Sequence, residues 1–128
     1  MTFKLDTFTQ AYIEAALWST MLDDGRPMDE DYSLADIAPE TLATMQADCE
    51  RFQRENADDI TSENLVYHSS YSIDEKAGHD FWLTRNGHGA GFWDRGIGED
   101  GRKLTRMAKA YGTVGLYRGD DSKLYFHA

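Results

Sequence analysis

One cysteine and two prolines stand among 128 residues, and no apolar run reaches the roughly 20 residues that a bilayer-crossing helix requires. A lone thiol, Cys49, excludes an internal disulfide. The opening Met1-Thr2-Phe3-Lys4-Leu5-Asp6 also lacks the charged-then-apolar order of a secretory leader. Both point to a reducing, cytoplasmic setting. Basic residues are scarce too, with 13 Lys and Arg against 23 Asp and Glu and a formal net charge of -10. That balance repels polyphosphate and anionic lipid, so neither direct nucleic-acid binding nor a membrane association is expected. What the chain does have is 41% hydrophobic residues, with three Trp, seven Tyr and six Phe. These are enough to build one hydrophobic core, and the length predicts a single domain over residues 1–128.

The charge is unevenly placed. Residues 1–64 hold 15 acids and four bases, whereas residues 65–128 hold eight acids and nine bases. The excess negative charge is therefore a property of the first half, and the second half is nearly neutral.

Local spacing predicts the elements. Thr7-Phe8-Thr9-Gln10 has the form of a helix start with Thr7 as the cap, and Phe8, Tyr12, Ala15, Ala16 and Trp18 or Ser19 recur as a buried stripe through about Thr20. From Met21 to Tyr32 the glycine, the proline and five acids interrupt any helical period and predict an exposed acidic loop. Ser33 and Asp36 cap a short turn. Pro39 then suits the first turn of a helix running to about Asn56, whose Leu42, Met45, Cys49 and Phe52 share one face. Cys49 reads there as a small buried hydrophobe. A further helical turn is expected near Thr61 or Ser62, carrying Leu65, Val66 and Tyr67 inward.

In the second half, Asp80-Phe81-Trp82-Leu83-Thr84-Arg85 is rich in strand-favouring side chains and ends at the turn signal Asn86-Gly87, so a strand is expected. Ala90 to Arg95 follows as a return strand or an ordered loop. A helix is predicted from Glu99 or Asp100 to Tyr111, with Leu104, Met107, Ala108 and Tyr111 inward and Gly112 ending it. Val114–Arg118 and Lys123–His127, flanking Gly119-Asp120-Asp121-Ser122, form a terminal hairpin. The fold class expected is α+β, a helical first half packed on a small antiparallel sheet with a C-terminal β-hairpin.

The densest stretch runs from Gly78 to Gly96, GHDFWLTRNGHGAGFWDRG, with two of the four histidines, two acids, two arginines and five glycines. A catalytic or ligand-binding reading takes His79 or His88 as a general base oriented by Asp80 or Asp94. A metal reading uses the same four groups, yet the nine-residue interval between the histidines fits no short ligand motif, and no metal or other cofactor is expected. A third reading turns the amides of Gly87 to Gly91 toward an anion, with Arg85 or Arg95 adding charge. Against these, Phe81, Trp82, Phe92 and Trp93 build core while Arg85, Asp94 and Arg95 lock it with hydrogen bonds.

The acids of the first half suggest a different chemistry. Duplex DNA carries one charge per about 1.7 Å of axis. Asp23, Asp24, Asp29, Glu30, Asp31, Asp36 and Glu40, continued by Asp48, Glu50, Asp58, Asp59 and Glu63, supply many carboxylates from one loop and two helices. Such a face either imitates phosphates or keeps the protein soluble.

The Gly78–Gly96 stretch resembles a family of small, mostly uncharacterised proteins of bacteriophages, plasmids and bacterial mobile elements. The likeness extends through the Leu104 helix and the Tyr117 to Tyr125 hairpin, and back to Pro39-Glu40-Thr41-Leu42 and Asp48-Cys49. It implies a bacterial host cell but no catalytic residue, cofactor or substrate. Small acidic inhibitors of restriction or CRISPR effectors belong to the same genetic setting. The leading expectation is thus a non-catalytic protein whose acidic first half, with Asp23, Asp24, Asp29, Glu30, Asp31, Asp36 and Glu40 as binding residues, occupies a basic nucleic-acid-binding surface on a protein partner. The alternatives are a small enzyme or ligand-binding protein around His79, Asp80, His88 and Asp94, and a structural or assembly protein of the element.

Overall fold

The computed structural model describes residues 5–60, 72–87 and 98–127, the side chains of 98–100 excepted. Within them the chain forms α1 (Thr7–Ser19), α2 (Pro39–Glu55), α3 (Ile73–Arg85), α4 (Gly98–Lys109) and an antiparallel hairpin of β1 (Gly115–Arg118) and β2 (Leu124–His127). The architecture is α+β. No helix among the described residues is long and apolar enough to cross a membrane.

α1 is the central element. Phe8, Thr9, Ala11, Tyr12, Ile13, Ala15, Ala16 and Leu17 are all buried. Beyond its first residue, only Gln10, Glu14 and Trp18, one stripe at four-residue spacing, are exposed. A helix apolar on nearly every side belongs inside a core, and fully burying a side chain such as Phe8 or Ile13 contributes about 1.5–3 kcal/mol. Trp18 is therefore not part of the buried stripe. Ser19 takes the inward role, accepting a hydrogen bond from Trp82 Nε1 at 2.8 Å. The cap is Asp6 and not Thr7: Asp6 Oδ1 accepts from the Thr9 amide at 2.8 Å, while Oδ2 accepts from Gln53 Nε2 at 3.0 Å. The helix start is thereby tied to α2.

The expected strand over Asp80–Arg85 is instead the second half of α3. Ser72 and Glu75 form a reciprocal cap, Ser72 Oγ accepting from the Glu75 amide at 3.2 Å and Glu75 Oε1 from the Ser72 amide at 3.4 Å. Once nucleated there, the helix brings Gly78 and Phe81 against Phe8, and Phe81, Trp82 and Arg85 against Tyr12 of α1, and this packing outweighs the strand preference of Phe81, Trp82 and Thr84. Asn86-Gly87 is a turn signal as expected, but it ends a helix: Gly87 sits at φ +76°, where a side chain is disfavoured.

α2 and α4 follow the predicted periodicities. Leu42, Met45, Cys49 and Phe52 of α2 are buried, as are Leu104 and Ala108 of α4, with Met107 and Tyr111 packed at the edge of the same cluster. Phe81 stands at the centre of the aromatic core, its ring 4.1 Å from Phe52, 5.1 Å from Tyr12 and 5.0 Å from Tyr111. The hairpin closes one side through buried Leu116 and Leu124, with Phe126 stacked on Trp82. It is joined to the acidic segment by the Ala38 amide, which donates to the Leu124 carbonyl at 3.0 Å.

The expected turn at Thr61 or Ser62 and the return segment at Ala90–Arg95 lie outside the described residues.

Candidate functional site

The acidic segment 21–40 contains seven carboxylates and one cation, Arg26. It is more ordered than a free loop. The Leu22 amide bonds the Arg26 carbonyl at 2.8 Å and the Gly25 amide bonds Leu22, so Asp23 and Asp24 form the tip of a tight reversal. Met28, buried, anchors its base, and its amide donates to the Thr20 carbonyl at 2.7 Å. Two 3-10 turns, Met28–Glu30 and Leu34–Asp36, complete the path to α2.

Arg26 organises the tip. Its Nε donates to Asp24 Oδ2 at 2.8 Å and its two terminal nitrogens grip Asp31 at 3.1 and 2.7 Å. The bond from Arg26 pulls the Asp24 carboxyl below the usual aspartate range. These groups are exposed, so the clamp shapes the loop more than it stabilises the fold. Asp23, Asp29, Glu30 and Glu40 are exposed, and no cation lies within ion-pair distance of them among the described residues. Asp36 is half-buried, with Oδ2 accepting from the Ser33 amide at 2.8 Å.

The remaining acids do not extend this face uniformly. Asp48 turns toward Arg85 at 3.1 Å, and Asp59 is buried against Lys103 at 2.6 Å. Neither belongs to an open negative surface. Glu50 is exposed, and Glu63 lies outside the described residues.

The hairpin comes up beside the acidic tip. A cleft of about 520 Å³ separates them, with Asp23, Asp24 and Asp31 on one wall and Tyr117 and Arg118 on the other. Tyr117 is 46% exposed and Met21 is 59% exposed at its mouth. Arg118 Nη1 reaches Tyr32 Oη, another lining residue, at 3.5 Å. Elsewhere on the hairpin, Tyr125 Oη donates to Asp121 Oδ2 at 2.6 Å, a bond that pushes the Tyr125 pKa up to about 12.

A second cleft, of about 450 Å³, lies between α1 and α3 and is lined by Glu14, Trp18, Asp29, Glu75, Lys76 and His79. It is the surroundings of His79 that bear on the catalytic reading. Trp18, 53% exposed, has its ring 5.9 Å from the His79 ring. Among the described residues His79 Nδ1 has no hydrogen-bond partner, and it stands 3.9 Å from Asp80 Oδ1, beyond bonding reach. Asp80 is fully buried, which keeps its carboxylate from a ligand in this cleft. His88 and Asp94 lie outside the described residues, as do Gly89 and Gly91 of the anion-loop reading. Arg85, invoked for that loop, has its donors on Tyr12, Asp48, Tyr111 and Gly112. Among the described residues no three His, Cys, Asp or Glu side chains gather as metal ligands would.

Sequence reasoning passed over Trp18, Tyr117 and Tyr125 as surface groups. The two tyrosines carried a signal: with Leu116 and Leu124 assigned inward, the two-residue period of a hairpin turns Tyr117 and Tyr125 outward. Comparison of the chain with protein-family models, with curated proteins and with solved structures gave no match.

Proposed function

We propose that this chain is a non-catalytic acidic accessory protein of a phage or mobile element, an inhibitor that covers a basic nucleic-acid-binding surface of a host defence protein of the CRISPR or restriction type. The observation that carries the reading is the segment from Met21 to Glu40, where six of seven carboxylates are exposed and the single cation is already held by two of them. Fixed carboxylates on an ordered turn present negative charge without the entropy loss of a flexible tail, which favours fast, electrostatically steered association. The resemblance of the Gly78–Gly96 stretch to mobile-element proteins supplies the biological setting.

The test is affinity capture from a bacterial host at low and high salt, with duplex DNA as competitor. The wild-type chain is compared with a variant carrying Asp23→Asn, Asp24→Asn, Asp29→Asn, Glu30→Gln and Asp31→Asn. The reading expects a nucleic-acid-binding protein that is retained at low salt, released by salt or by DNA, and lost with the variant. Retention that ignores salt, competitor and variant overturns it.

A further inference from the structure

We infer that the outward face of the hairpin, centred on Tyr117 and Tyr125, is where arginine side chains of a basic protein partner stack; the inference rests on the acidic-surface reading above. The register pairs Gly115 with His127, Leu116 with Phe126, Tyr117 with Tyr125 and Arg118 with Leu124. Paired residues share a face, so buried Leu116 and Leu124 commit one side to the core and leave Tyr117, Tyr125 and His127 together on the other. Their rings form a row, Tyr117 being 5.8 Å from Tyr125 and 5.7 Å from His127.

Two glycines give the row its form. A Cβ on Gly119 would stand 2.7 Å from Tyr125 Cε2, and one on Gly115 would stand 2.7 Å from His127 Nε2. Both rings thus lie across bare backbone. The result is an aromatic shelf on a two-stranded sheet, and no other described ring stacks on its Tyr117 and Tyr125.

Charge selects the occupant. Around the shelf stand Asp121, bonded to Tyr125, the exposed Asp120, Glu40, whose charge acts on the Tyr125 phenol, and Asp23 across the cleft. The cations nearby are Lys123 and Arg118, the second reaching Tyr32. A guanidinium is flat and weakly hydrated, so its face can lie on a tyrosine while its edge donates to a carboxylate. An ammonium gains only the second of these. A nucleobase would also stack, but its phosphate would meet the same carboxylates at a cost.

Fluorescence anisotropy with labelled nona-arginine, nona-lysine and oligo-dT tests this. The wild-type chain is expected to bind nona-arginine about fivefold more tightly than nona-lysine. Tyr117→Ala should abolish that preference, and Tyr117→Phe, which keeps the ring, should retain it. The five-site neutral variant should weaken both peptides alike. If the neutral variant weakens both peptides but Tyr117→Ala leaves their ratio unchanged, the arginine shelf is wrong and the acidic reading stands. Failure of either peptide to bind, or indifference to the neutral variant, overturns both. Tight oligo-dT binding that Tyr117→Ala removes assigns the shelf to bases and overturns the inference.

Discussion

Gly78 of α3 crosses α1 so closely at Phe8 that a Cβ placed on the glycine would overlap the Phe8 carbonyl oxygen. The obstacle is main chain in the first turn of α1, held by the packing of the two helices, which cannot swing aside as a side-chain tip can. Gly78→Ala should therefore lower stability by about 1–3 kcal/mol despite alanine's better helix propensity. Urea denaturation measures this, and a midpoint at or above that of the wild type would show that the crossing is looser than described.

Arg85 fastens elements that are distant in sequence. It is 4% exposed and donates to Tyr12 Oη at 3.0 Å, Asp48 Oδ2 at 3.1 Å and the carbonyls of Tyr111 and Gly112 at 2.8 Å each. Arg85→Ala strands four acceptors, Tyr12 Oη in the core and the other three at its edge, and should cost about 3 kcal/mol. Asp48→Asn, at a partly exposed position that keeps an acceptor oxygen, should cost less. Equal urea midpoints for the two variants would refute this ranking.

Asp6 predicts the acid response. Partial burial works to raise its pKa, but the hydrogen bonds from Thr9 and Gln53 together outweigh burial and hold the carboxyl below the usual 3.8. A depressed carboxylate pKa gives stability that is present above the unfolded value and lost as pH falls through the folded one. Asp6→Asn should thus be less stable than wild type at neutral pH by about 0.5 kcal/mol or less, since much of the group is in water. The two stability curves should converge below pH 3.8. Curves that stay parallel into acid would assign the effect to shape and not to charge.

Tyr125 offers a spectroscopic check. Its bond to Asp121 raises the pKa from 10.0 to about 12, so the neutral phenol is the form the fold prefers. That preference is present below pH 10 and disappears as pH rises through about 12. In tyrosinate absorbance titrations, Asp121→Asn should move one residue's transition back toward 10.0. An unchanged titration would mean that the bond does not persist in solution.

Cys49 should be silent in the native state. It is fully buried, and burial pushes its thiol pKa well above 9.0. A thiol reagent should label it only at the rate at which the protein opens, with labelling accelerating across the urea transition. Rapid native labelling would show an exposed thiolate.

How much of this was legible follows from the range of the forces involved. α2 was readable because Pro39 fixes its first turn and Leu42, Met45, Cys49 and Phe52 mark its inner face within the element itself. α3 was misread because Phe81, Trp82 and Thr84 carry a strand preference residue by residue, while the deciding Ser72 to Glu75 cap lies earlier and α1 supplies the packing. At the start of α1, Asp6 and Thr7 both bear suitable oxygens, and composition does not separate a carboxylate from a neighbouring hydroxyl as the cap. The exposure of Asp23, Asp24, Asp29, Glu30 and Asp31 followed from local punctuation. The inward turn of Asp48 and Asp59 did not, because their partners Arg85 and Lys103 stand 37 and 44 residues away.

The reach of Arg85 also bears on how the chain can be divided. Charge suggests a seam near the middle, between an acidic half and a nearly neutral one, yet the guanidinium of the second half closes on Tyr12 and Asp48 of the first. A chain cut between residues 60 and 72 would leave one fragment with the acceptors and the other with their donor. Neither fragment should fold alone, and mixing them should restore structure by complementation. Grafting the acidic segment elsewhere would then require a scaffold that replaces the whole of that second fragment.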